Sequence, residues 1–202
     1  MNHHFIFNAL NSIQSLVVNQ KTDIARAQIQ TFATLMRGIL TNSKKSRINL
    51  QEEYLTIDKY LKMEQFCQPF DFDYAIHLPQ DYDPEEIEIP PMMIQPFVEN
   101  AVFHGISTLP RKGKIIVKFE VHKEQLKCTV VDNGVGREQA KAAKHKQEKG
   151  HQSTAIAVTK QRLQALSNGQ IKDCFSIADV VDETANVQGT KVTLVMPLEI
   201  NF

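Results

Sequence analysis

The sequence predicts an α+β protein, with a helical first region over residues 1–68 followed by an α/β sandwich over residues 69–202. Three observations carry this. Apolar residues recur at spacings of three and four from Phe5 to about Gln68, a stretch whose one glycine is Gly38. Beyond Pro69, short runs of period-two alternation appear between helical ones. Their order (strand, helix, two strands, helix, two strands) suits one sheet covered by helices on one face.

The first helix, FIFNALNSIQSLVV, places Ile6, Leu10, Ile13 and Val17 on one stripe, which Phe5, Ala9 and Leu16 widen. A second helix is expected from about Asp23 to Leu40, carrying Ala25, Ile29, Phe32, Met36 and Ile39. The short polar link NQKTD makes the pair an antiparallel hairpin. Two helices with surplus apolar surface form a weak core alone, so pairing with a second copy into a four-helix bundle, a homodimer, is expected. Asn49 followed by Glu52 is a capping-box pattern that opens a third helix with Leu50, Tyr54, Ile57 and Leu61 on one face. In the second region FDFDYAIHL reads as a strand. IPPMMIQPFVENAVFHGI reads as a helix beginning at its prolines, and GKIIVKFEVH and QLKCTVV read as strands. A polar stretch from Arg137 to His151, with KAAKHKQEKGHQ as a loop candidate, precedes a helix near Ile156 to Leu166. CFSIADVV and TKVTLVMPL close the chain as strands.

Composition removes several function classes. The chain has 202 residues, and Lys+Arg 23 balances Asp+Glu 23, so no net field favours nucleic acid and any polyanion needs a local site. Cys67, Cys128 and Cys174 are widely spaced and form no CxxC pair, which fits buried thiols rather than disulfides or zinc ligands. No apolar run approaches the roughly 20 residues that cross a bilayer, so the chain taken alone is expected to be cytoplasmic.

Two segments could carry chemistry. Asn100 and His104 lie four residues apart on one face of an otherwise apolar helix, with Glu99 adjacent and sharing a stripe with Gln95. A carboxamide oxygen suits Mg²⁺ and a neighbouring carboxylate can orient a nucleophile, although an ordinary solvated helix face would look the same. DNGVG ends the strand QLKCTVV. Asn-Gly after a strand signals a hairpin, but the following REQAKAAKHKQEKG shows no alternation to supply the second strand. The other reading is that Asp132 presents a carboxylate to an exocyclic amine while Gly134 and Gly136 let backbone approach a flat ligand such as adenine.

PPMMIQPFVENAVFHGI, DNGVG and QGTKVTLVMPL, in that order, resemble the N box, first glycine box and last glycine box of the GHKL (Bergerat) ATP-binding fold, an α/β sandwich with a mixed sheet. NHHFIFNALNSI resembles the phosphoacceptor segment of the autolysin-sensor (LytS-like) histidine kinases, whose pattern is close to NPHFLFNxLNxI. The resemblance covers nearly the whole chain. It implies Asn100 as the Mg²⁺ ligand, His104 near the phosphates and Glu99 as a polarising residue. It further implies Asp132 on the adenine amine, Gly134 and Gly136 shaping the pocket, Thr190 supporting the adenine end, and an ATP lid from Arg137 to His151. His4 would be the acceptor, with Asn8 one turn on fixing its tautomer; outside that context His4 is a polar surface residue of a bundle helix. A neutral imidazole can attack phosphorus without prior deprotonation.

The implied function is a sensor histidine kinase core that phosphorylates itself with ATP and Mg²⁺ and passes the phosphoryl group to a response-regulator receiver domain. A membrane sensor is expected upstream of residue 1. The sequence departs from the family at His3, where proline is usual, and at Ser153, Ala155, Ile156 and Val158, where a glycine-containing box usually precedes an Arg-Leu pair, here Arg162 and Leu163. Arg162 is read either as a phosphate contact or as a helix-surface ion pair. The missing glycines support an alternative, a degenerate noncatalytic dimerisation and signal-relay module of the same fold.

Overall fold

A computed structural model describes residues 3–144, 151–167 and 171–201, so the middle of the expected lid, 145–150, lies outside the described residues, as do the side chains of Ser153 and Ala155. The first region is three helices: α1 His3–Val18, α2 Thr22–Asn42 and α3 Leu50–Cys67. α1 and α2 form the expected hairpin, and α3 packs on both. At the start of α3 the Asn49 side chain accepts the Glu52 N–H at 2.7 Å. The reciprocal half of the capping box is replaced, because the Glu52 carboxylate takes the Lys45 ammonium at 2.8 Å.

The inner face of α1 differs from the expected stripe. Phe5, Ala9 and Ile13 are buried, at spacings of four, while Leu10 and Val17 are 49% and 57% exposed. The cause is aromatic: the Phe5 ring lies 5.0 Å from Tyr60 of α3 and 6.2 Å from Phe32 of α2, and these contacts set the helix rotation. In α2 the buried positions are Ala25, Leu35, Ile39 and Asn42, and Ile29 is exposed. Phe7, Leu10, Ile24 and Ile29 therefore leave apolar surface on the hairpin.

The second region is built on a five-stranded mixed sheet. Its strands are β2 Phe72–His77, β4 Gly113–His122, β5 Gln125–Asp132, β6 Phe175–Val181 and β7 Val187–Pro197, in the order β2-β4-β5-β7-β6, with β2 parallel to β4 and the rest antiparallel. Three short strands make a second sheet that period-two alternation does not announce: β1 Ile48–Asn49, β3 Ile87–Ile89 and β8 Glu199–Ile200.

Ile115, Val117 and Phe119 of β4, Leu126, Cys128 and Val130 of β5, and Val192, Leu194 and Met196 of β7 point inward. They join Phe97, Val98, Val102 and Leu163 in one core, which also contains Phe5 and Leu35 of the hairpin. The helix expected to begin at Pro90 and Pro91 begins later. α4 runs Gln95–Asn100, with Pro96 in its first turn, and continues as a π-helix over Ala101–Ile106. The two earlier prolines lead into a turn at Met92, whose φ is 60°. The polar stretch after Gly136 contains a helix, α5 Arg137–Lys144, and the helix expected near Ile156 already starts at His151 as α6 His151–Leu166. Among the described residues, no helix is long and apolar enough to cross a membrane.

Candidate functional site

The inward face of the sheet ends in a polar row. Asp132, the last residue of β5, pairs with Thr190 on β7 and with Ile115 on β4, and Thr190 pairs with Asp179 on β6. Strand alternation thus aims Asp132 to the same side as Val130 and Cys128, so a carboxylate closes an apolar file. Asp132 is 6% exposed. Its Oδ1 accepts the N–H of Gly134 at 2.9 Å and of Thr190 at 3.3 Å. Burial pushes the carboxyl up to about 6, helped by the Asp179 charge and opposed by the two N–H donors.

Asn133 and Gly134 form no hairpin. The Asn133 side chain accepts the Lys114 N–H at 2.7 Å and donates to the Lys112 carbonyl at 3.3 Å, tying off the start of β4. Val135 then donates its N–H to the Gly105 carbonyl at 3.0 Å. This docks the DNGVG turn on the end of the π-helix, where a side chain on Gly134 would collide with the Gly105 backbone. Gly136 has φ +80°, which turns the chain into α5.

Between sheet and helices lies a cavity of about 210 Å³. Asn100, His104, Asp132 and Thr190 all line it, joined by Ala101, Val130, Ile177 and Val192. The structure therefore brings four of the residues named from the sequence to one concave, mainly apolar site with few polar groups, the usual form of a small-molecule pocket. Gly134, Gly136 and Glu99 are not among its lining residues. The glycines shape the turn beside it, and Glu99 accepts the Gln95 amide N–H at 3.2 Å; Tyr60 and Glu64 of α3 are raised mainly by burial, with the Glu99 charge adding to it. His4 is exposed on the first turn of α1 with Asn8 half-buried one turn on, and neither lines the cavity.

Arg137 and Ala140 of the expected lid and Ile156 of the altered glycine box, none of them named as a site residue from the sequence, also line the cavity, from α5 and α6. Arg137 is fixed by its N–H to Asp179 Oδ1 at 2.9 Å and by its guanidinium to the Ile177 carbonyl at 3.4 Å. Its place directly after the second glycine of DNGVG was the available signal. Arg162 is exposed on α6, and its guanidinium donates to the Pro91 carbonyl at 3.4 Å.

The family model for "Histidine kinase" matches residues 1–69. The sensor protein LytS of Staphylococcus epidermidis is 33% identical over 136 residues, covering 67% of this chain and 22% of the relative. LytS of Staphylococcus saprophyticus is 27% identical over 197 residues, covering 98% and 32%, and LytS of Oceanobacillus iheyensis is 30% identical over 172 residues, covering 82% and 29%. The chain thus spans about a fifth to a third of the length of these relatives. Among solved structures, a mycobacterial sensor histidine kinase, MprB, matches with TM-score 0.47 and 14% identity over 77% of this chain and 98% of that one. These relatives and the matching family model make the chain a member of the LytS-like family of sensor histidine kinases.

Proposed function

We propose that this chain is the cytoplasmic kinase core of a membrane-bound two-component sensor. It binds ATP with Mg²⁺ in the cavity between Asn100 and Asp132, transfers the γ-phosphoryl group to His4, and passes it to a response-regulator receiver domain. The observation that supports this most strongly is the convergence of Asn100, His104, Asp132 and Thr190 on one cavity from three separate stretches of sequence.

The residues present fit a purine nucleotide. Asp132 Oδ1 takes both backbone donors, which leaves Oδ2 to accept the exocyclic amine of adenine. Ala101, Val130, Ile177 and Val192 give the ring an apolar slot, and Thr190 supports its edge. Asn100 would hold Mg²⁺ through its carboxamide oxygen, with His104 beside the phosphates. When bound, Mg²⁺ neutralises phosphate charge. Among the described residues no group of three His, Cys, Asp or Glu could hold a metal, so a cation here depends on oxygens that arrive with the nucleotide.

The chain's own contribution to transfer is positioning. His4 supplies a ring nitrogen from α1, Asn8 orients the ring, and Glu99 offers a carboxylate on the side of α4 that faces α3. A second copy covers the apolar face left by Phe7, Leu10, Ile24 and Ile29. Calorimetric titration with Mg–ATP tests the nucleotide site. Asp132→Asn removes a charged acceptor and is expected to weaken binding roughly ten- to a hundredfold. Equal affinity of the variant and the native chain contradicts the assignment.

A further inference from the structure

Groups from three stretches distant in sequence converge near one buried carboxylate. Glu53 of α3 is 2% exposed. The backbone N–H groups of Met92 and Ile94 and, more weakly, the positive charge of Arg162 on α6 act on its carboxylate, whose Oε1 is buried without a hydrogen-bond partner. Arg162 also donates to the Pro91 carbonyl at 3.4 Å. Met92 has φ 60°, a left-handed conformation that L residues rarely adopt, so the turn at 91–94 must be held by its surroundings. Ile94 immediately precedes α4 without a side-chain cap of its own, and its carbonyl accepts the Phe97 N–H at 3.0 Å and the Val98 N–H at 3.3 Å. The start of α4 is thus fixed from outside, by α3 and α6. Burial pushes the Glu53 carboxyl up to about 7, while the two N–H donors and Arg162 pull against that.

We propose that Glu53 and Arg162 are positioning residues for the nucleotide: together they lock the turn at 91–94 and so set α4, which carries Asn100 and runs on into the π-helix with His104, against α6, which carries Ile156. The inference rests on the nucleotide reading above. It gives Arg162 a task other than touching phosphate, and it makes the nucleotide site depend on α3, the helix that also supports the hairpin through Tyr60 and Phe5.

The test compares Glu53→Gln, which keeps shape and removes charge, with Arg162→Met, which keeps the stem and removes the guanidinium. Each is expected to raise the Kd for Mg–ATP roughly five- to tenfold, and the double variant to equal the worse single one, because the two act as one unit. In the nucleotide-free chain, amide exchange at Phe97 and Val98 should speed up at least about fivefold in both singles. Arg162→Lys, which retains the charge, should recover part of both effects, and it provides the comparison where Glu53→Gln does not fold. Fold-changes that multiply in the double variant, or unchanged exchange at Phe97 and Val98, overturn the proposal. A native chain that binds no Mg–ATP contradicts the nucleotide reading instead, and the exchange comparison then decides this inference by itself.

Discussion

Gly105 stands so close to Asp132 that a methyl group added to it would lie 2.7 Å from both Cγ and Oδ1 of the carboxylate. The glycine at the end of the π-helix is therefore what allows the strand-end carboxylate to sit where it does. Gly105→Ala should displace Asp132, weaken Mg–ATP binding by at least about tenfold and lower stability by roughly 1–3 kcal/mol. Gly38, inside α2, has nothing within 4 Å of an added methyl group, and Gly38→Ala should instead stabilise by about 0.5–1 kcal/mol. Urea unfolding of the two variants checks both signs.

Acid should stabilise the nucleotide-free protein while weakening its hold on ATP. Asp132 is raised from 3.8 to about 6 and Glu53 from 4.5 to about 7 by burial. The folded state therefore binds more protons than the unfolded state across this window. Stability from these groups is fully present below about pH 4 and is lost as pH rises through 6 and 7. Unfolding at constant ionic strength should show more stability at pH 5 than at pH 8, by on the order of 4 kcal/mol, and Asp132→Asn with Glu53→Gln should flatten that slope. The proposed contact with the adenine amine uses the ionised Asp132, so on that proposal the Kd for Mg–ATP should rise as pH falls below about 6.

Much of the second region was legible in the sequence, since β2, β4, β5, β6 and β7 all carry enough alternation to be read, and Asp132 and Thr190 fall at adjacent strand positions. The rest was hidden for physical reasons. β1, β3 and β8 are two or three residues long and show no period. The rotation of α1 differs from the Ile6–Leu10–Ile13–Val17 stripe expected because the flanking Phe5 and Ala9 are apolar as well, and the tertiary contact of Phe5 with Tyr60 decides which side turns inward. The contact of Arg162 with the Pro91 carbonyl was not legible because the two residues are far apart in sequence.

Phe5 and Phe7 separate core from surface within one turn of α1. Phe5 is fully buried against Tyr60 and Phe32, and Phe5→Ala should cost about 3–5 kcal/mol in urea unfolding. Phe7 is 64% exposed, so Phe7→Ala should change monomer stability by no more than about 0.5 kcal/mol. If a second copy covers that face, Phe7→Asp paired with Leu10→Asp should shift the sedimentation profile from dimer to monomer. An unchanged profile would show that the copies meet elsewhere.

The most direct measurement of the central claim is transfer of label from γ-labelled ATP to the protein in the presence of Mg²⁺, followed by acid and base treatment. The account predicts label that is lost in acid, survives in base, disappears in His4→Gln and falls sharply in Asp132→Asn. Phosphate release without labelled protein, or undiminished labelling of His4→Gln, would contradict it.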